Sequence, residues 1–257
     1  MLANPTYSPY RRTAVVVGLL FILCTATSIL SAVVTARLLD APNYLTILAA
    51  HDDRVVAGAL VEFVWAITAA GIAIGLYPVL RKHNRGVALG SVAARTVEGA
   101  LVLVGMIGLL TLLSVSRQSV AGAPGYASSF EAVGSSLLAA RDWTHGYVMS
   151  LAWLAGAFMY YCLLYKARLV PRWLSGWGLV GAALCLGATV YSGFTQHLGL
   201  TPVNLVANSL IFVQEIALGV WLIAKGFNPA TRASGQTITS EGDGMKLLAA
   251  SVTGQAA

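Results

Sequence analysis

The chain has 257 residues, of which 57% are hydrophobic and only 10% charged, with a mean hydropathy of +0.75 and a formal net charge of +6. Soluble domains carry about a quarter charged residues. This composition excludes an ordinary soluble enzyme, a disordered chain and a small secreted scaffold built on disulfides.

A helix crossing ~30 Å of hydrocarbon at ~1.5 Å per residue needs about 20 mostly apolar residues. Stretches of that kind run from Thr13 to Leu38, Val55 to Leu80, Gly86 to Val115, Trp143 to Tyr165, Gly176 to Phe194 and Val203 to Phe227. They are apolar all round, as in Leu101-Val102-Leu103-Val104, rather than alternating as the strands of a membrane barrel do. The expected fold is an all-α integral membrane bundle of six transmembrane helices. Residues 1–12 precede it, 13–227 form it, and the Pro-, Ser- and Gly-rich stretch 228–257 reads as a disordered tail.

Arg11 and Arg12 precede the first span, which is too long for a signal peptide and ends without a clear cleavage site. Basic residues recur after the second span (Arg81, Lys82, Arg85), after the fourth (Lys166, Arg168, Arg172) and after the sixth (Lys225, Arg232, Lys246). These segments hold most of the 16 basic residues, so the positive-inside rule puts them, and both termini, in the cytoplasm. Tyr77, Tyr165, Trp173 and Trp221 fall at that end, where rings bridge lipid and headgroups. The net charge thus reflects topology, and no nucleic-acid partner is implied.

The opposite side carries Asp40, Asp52, Asp53, Glu131 and Asp142 among fewer cations. Between the third and fourth spans, Phe130, Val133, Leu137 and Leu138 recur at helical spacing, which predicts a short interfacial helix on the outer surface. Gly71-Ile72-Ala73-Ile74-Gly75 is a small-residue motif that reads either as packing within the bundle or as the face of a homo-oligomer.

Ionisable side chains inside hydrocarbon cost roughly 2.5 kcal/mol or more, so each is expected to face the bundle and find a partner. Arg95 and Glu98 lie at i and i+3, about 14 and 18 Å from the basic end, and Glu215, beside Gln214, lies about 18 Å deep on the returning sixth span. These residues are expected to meet around one guanidinium. One Arg cannot neutralise two carboxylates, so a proton, a cation or a small polar ligand is expected there, unless the group is a structural clamp. Glu62 sits nearer the outer end, where an outer vestibule is its expected setting.

His51, His145 and Asp142 on the outer side form a second candidate, a zinc site activating water for an outer-leaflet hydrolase. No His-x-x-x-His spacing supports it. Paired histidines within the bundle, as a haem would need, are absent from the sequence, and no cofactor is expected. The three cysteines fall inside spans without a Cys-x-x-Cys pair and read as packing residues.

Leu76-Tyr77-Pro78-Val79-Leu80-Arg81, Arg95-x-x-Glu98, Arg141-Asp142, Leu169-Val170-Pro171-Arg172-Trp173-Leu174 and Gln214-Glu215 followed by Trp221-Leu222-Ile223-x-Lys225-Gly226-Phe227 resemble, in order, a bacterial membrane family known as domain of unknown function 4386. The resemblance runs from about Arg12 to Phe227. It implies a six-helix protein of a bacterial plasma membrane, with Arg95, Glu98 and Glu215 at the family's intramembrane polar positions. It implies no activity, so transport, hydrolysis and an assembly role stay open.

Overall fold

A computed structural model describes residues 10–122, 124–198 and 201–228. The expected N-terminal segment, up to residue 9, and the tail from 229 lie outside the described residues. Arg11 and Arg12, expected ahead of the first span, are its first two residues. The helices are α1 (Arg11–Leu39), α2 (Tyr44–Ala50), α3 (Asp52–Leu80), α4 (Arg85–Ala121), α5 (Ala127–Trp143), α6 (Met149–Lys166), α7 (Arg172–Thr195) and α8 (Pro202–Ala224). A π-helical turn, Thr144–Val148, joins α5 to α6. Among the described residues, six helical stretches are long and apolar enough to cross a membrane, counting Ala127–Lys166 as one, and the chain is a multi-pass membrane protein.

Helix starts follow local chemistry. The Asn84 side chain accepts a hydrogen bond from the Val87 amide at 3.0 Å and opens α4. Thr201 caps α8 in the same way through the Asn204 amide, at 3.2 Å, with Pro202 at the first helical position. The spans form a closed ring in which α1, α3, α4, α6, α7 and α8 each pack on the next and α8 returns to α1. Gly18 and Gly219 make that closure: a Cβ on either would fall within 2.8 Å of the other's carbonyl oxygen.

Polarity is inverted relative to a soluble protein. Leu60, Ile67, Ile107, Val180 and Val206 on the outer face are each more than half exposed, while Arg95, Glu98, Glu62 and Gln214 are sealed within. The main core joins Phe21, Ile72, Leu76, Tyr160, Tyr161, Leu164 and Leu222 towards the basic end. A smaller one joins Leu38, Leu48, Val55, Leu109 and Leu112 at the other.

The helix expected between the third and fourth spans forms as α5, but it is not a separate element. α5 continues through the π-turn into α6 without leaving helical backbone, giving a 40-residue stretch beside the 37-residue α4. At ~1.5 Å per residue each is about 55–60 Å long, far more than the ~30 Å of hydrocarbon. Part of the apolar stripe is covered by protein: Leu137 and Leu138 pack with Tyr44 and Ile47 on the smaller core, while Val133 stays half exposed, so α2, α5 and the end of α4 form a cap. The Gly71 and Gly75 motif likewise serves the bundle, facing Leu20 and Val17 of α1 and not an external face.

Candidate functional site

Arg95 and Glu98 share one face of α4, and Arg95 Nη1 lies 2.9 Å from Glu98 Oε2, both side chains almost fully buried. The approach is an ion contact without good hydrogen-bond direction. Arg95 Nε donates to the Ala69 carbonyl of α3 at 3.1 Å, and Nη2 points to Cys24 Sγ of α1 at 3.7 Å. Two glycines make the space. A Cβ at Gly99 would fall 2.7 Å from the Ala66 carbonyl oxygen, and one at Gly156 would fall 2.8 Å from Arg95 Cγ. α3 and α6 therefore close tightly on the α4 face that carries the pair.

Glu215 reaches the same neighbourhood from α8, but the expected contact with the Arg95 guanidinium is not made. Its Oε2 accepts a 2.7 Å hydrogen bond from Thr25 Oγ1, and the Trp153 indole lies beside the carboxyl. The reason is the ring: α1 stands between α3 and α8, and its consecutive residues Cys24 and Thr25 turn to Arg95 and Glu215 respectively. Among the described residues no Lys, Arg or His lies within ion-pair distance of Glu215. Gln214 belongs to a neighbouring polar contact, accepting from the Tyr161 hydroxyl at 2.5 Å and donating to the Leu174 carbonyl at 3.0 Å.

Glu62 faces no vestibule; it is fully buried beneath Arg141. Arg141 Nη1 lies 3.3 Å from Glu62 Oε2 and 2.7 Å from the Gly105 carbonyl oxygen, while Nη2 pairs with Glu62 Oε1. Ser31 of α1 donates to Glu62 Oε1 at 2.9 Å. Arg141 thus belongs to the buried core of the molecule although its position next to Asp142, at an expected span end, reads as outer-surface charge. The extension of the fourth span past Trp143 brings it inside.

The zinc reading fails on geometry. Among the described residues no three His, Cys, Asp or Glu side chains are placed to hold one metal ion. His51 Nδ1 lies 3.0 Å from the Ile47 carbonyl oxygen of its own turn. His145 Nε2 lies 3.4 Å from the Val102 carbonyl oxygen, its ring edge-on to Trp65.

Arg95, Glu98, Glu215 and Gln214, expected inside the bundle, are buried there, and Glu62, expected in a vestibule, is buried as well; their partners Arg141, Cys24 and Thr25 were not anticipated. Nothing in the sequence marks Cys24 and Thr25 out from the other small polar residues of that span.

A family model described as Domain of unknown function (DUF4386) matches residues 16–226. No curated protein and no solved structure matches the chain.

Proposed function

We propose, from the premise that the chain belongs to this family of unknown function, that it is a proton-coupled membrane protein whose working group is the Glu215 carboxyl. The observation that carries the reading is that Glu215, at 5% exposure, accepts a hydrogen bond from the Thr25 hydroxyl and has no cation within ion-pair distance among the described residues. Arg95 is already committed to Glu98. A second ionised carboxylate at this depth would leave an uncompensated negative charge, which buried sites do not tolerate. A protonated Glu215 is neutral and keeps its Thr25 contact. Donor-rich surroundings, a hydroxyl and an N–H, also suit a carboxyl better than they suit a metal cation, which wants acceptors.

Loss of that proton would leave Glu215 charged and free to draw Arg95 away from Glu98, rearranging α1 between them. Passage of a small polar solute is the process this exchange would drive. The test is vesicle-reconstituted protein under an imposed pH gradient, with interior pH followed by a dye. The reading expects wild-type proton movement that Glu215→Gln abolishes at unchanged folded yield; equal movement in both contradicts it.

A second reading, a static clamp holding the bundle, is favoured by the close packing of Gly156 and Gly99 around the α4 pair. It expects Arg95→Met and Glu215→Gln to lose folded protein equally, with no functional loss separable from that.

A further inference from the structure

At the basic end, the turn from α3 into α4 and the last turn of α6 border a recess of about 330 Å³, lined by His83, Asn84, Val87, Cys162, Leu163 and Lys166. The volume lies in the roughly 300–1,000 Å³ range of small-ligand sites. α4 and α6 are neighbours in the ring, so the recess lies between two spans where one begins and the other ends.

Its electrostatics are one-sided. Arg81, Lys82 and Arg85 stand on the same turn, Arg168 follows α6, and no described carboxylate lies at this end of the bundle. Arg81, Lys82 and Arg172 rest over the rings of Tyr77, Tyr10 and Tyr165. Lys166 has neither ring nor acid partner among the described residues and lines the recess directly. The start of the 37-residue α4 adds the positive end of a long helix dipole.

We propose that this recess binds the phosphate headgroup of an anionic phospholipid, with Lys166 and the first turn of α4 at the phosphate and Val87 and Leu163 walling the glycerol backbone. The depth selects lipid over a dissolved anion: where spans end and tyrosines cluster is the headgroup level, and basic pockets between spans take lipid headgroups there. The site is independent of the Glu215 reading, which lies deep in the bundle.

The test uses the full chain, purified in detergent and stripped of lipid, then titrated with phosphatidylglycerol, phosphatidylcholine or inorganic phosphate and read by native mass spectrometry. Phosphatidylglycerol is expected to bind at least tenfold tighter than the other two probes. Lys166→Gln weakens it about fivefold, the effect of one basic residue near a lipid surface. Lys166→Arg restores it, and Arg54→Gln at the far end leaves it unchanged. His83→Glu, at an exposed position, weakens it by at least as much by placing a carboxylate in the recess. Equal binding of the two lipids, phosphate binding as tight as phosphatidylglycerol, wild-type affinity in Lys166→Gln, or an equal loss in Arg54→Gln would each overturn the proposal.

Discussion

Two buried ion centres use the same helices, α1, α3 and α4, about 10 Å apart along the bundle by the seven residues from Glu62 to Ala69. The outer one is balanced. Arg141 meets both oxygens of Glu62, Ser31 adds a hydroxyl, and the Gly105 carbonyl takes a further guanidinium N–H. The inner one is balanced only between Arg95 and Glu98, while Glu215 stands against a hydroxyl from the next residue along α1. The difference separates a lock from a site: a neutral, fully satisfied pair has one state, whereas a surplus carboxyl has two.

Breaking the lock gives the largest expected effect. Arg141→Ala strands Glu62 in the core and is expected to cost about 3–5 kcal/mol, read by denaturant or thermal unfolding of the purified protein. Arg141→Met combined with Glu62→Leu should recover most of that, because the loss comes from the orphaned charge and not from the missing pair.

The comparison sharpens when one substitution is made at both centres. Glu62→Gln leaves Arg141 buried without a carboxylate and should approach the cost of breaking the pair. Glu215→Gln replaces a neutral acid by a neutral amide beside Thr25 and should change stability by about 1 kcal/mol or less. Comparable losses at 62 and 215 would mean that Glu215 is charged and paired.

Crowding the inner centre gives a smaller effect. Gly156→Ala pushes a methyl against the Arg95 stem and is expected to cost about 1–3 kcal/mol, an overpacking penalty. An exposed pair provides the baseline: Asp52 and Arg117 meet at 2.5 Å but are each about half exposed, at 49% and 57%. Asp52→Asn should therefore leave the unfolding midpoint indistinguishable from that of the wild type.

The smallest effect is on pH. Partial burial, then the adjacent Lys82, hold the His83 imidazole below its ordinary value of 6.5. As pH falls below that value the unfolded chain takes up this proton first, so the contribution of His83 to stability is flat above 6.5 and declines below it. An anionic headgroup in the recess favours the imidazolium, so the NMR titration of His83 should move upward when phosphatidylglycerol is added.

The spans were legible because hydropathy and length are local properties, and so were Glu62, Arg95, Glu98 and Glu215, since any charge inside an apolar run stands out. Their partners were not. Arg141 pairs with a residue 79 positions away, and only the uninterrupted helix through Thr144–Val148 carries it inward. Thr25 is one of several hydroxyl residues in α1, and nothing in the run Cys24-Thr25-Ala26-Thr27-Ser28 marks it as the one that meets α8. The ring order was half legible: short connections make sequential spans neighbours, but the return of α8 to α1 depends on the Gly18 and Gly219 crossing, which sequence spacing does not reveal.

Infrared difference spectroscopy of the carboxyl C=O stretch at neutral pH, comparing wild-type protein with Glu215→Gln in light and heavy water, tests most directly whether the surplus carboxyl holds a proton. The account predicts a deuterium-sensitive acid band in the wild type that the substitution removes. A wild-type spectrum showing only ionised carboxylate at Glu215 would contradict it.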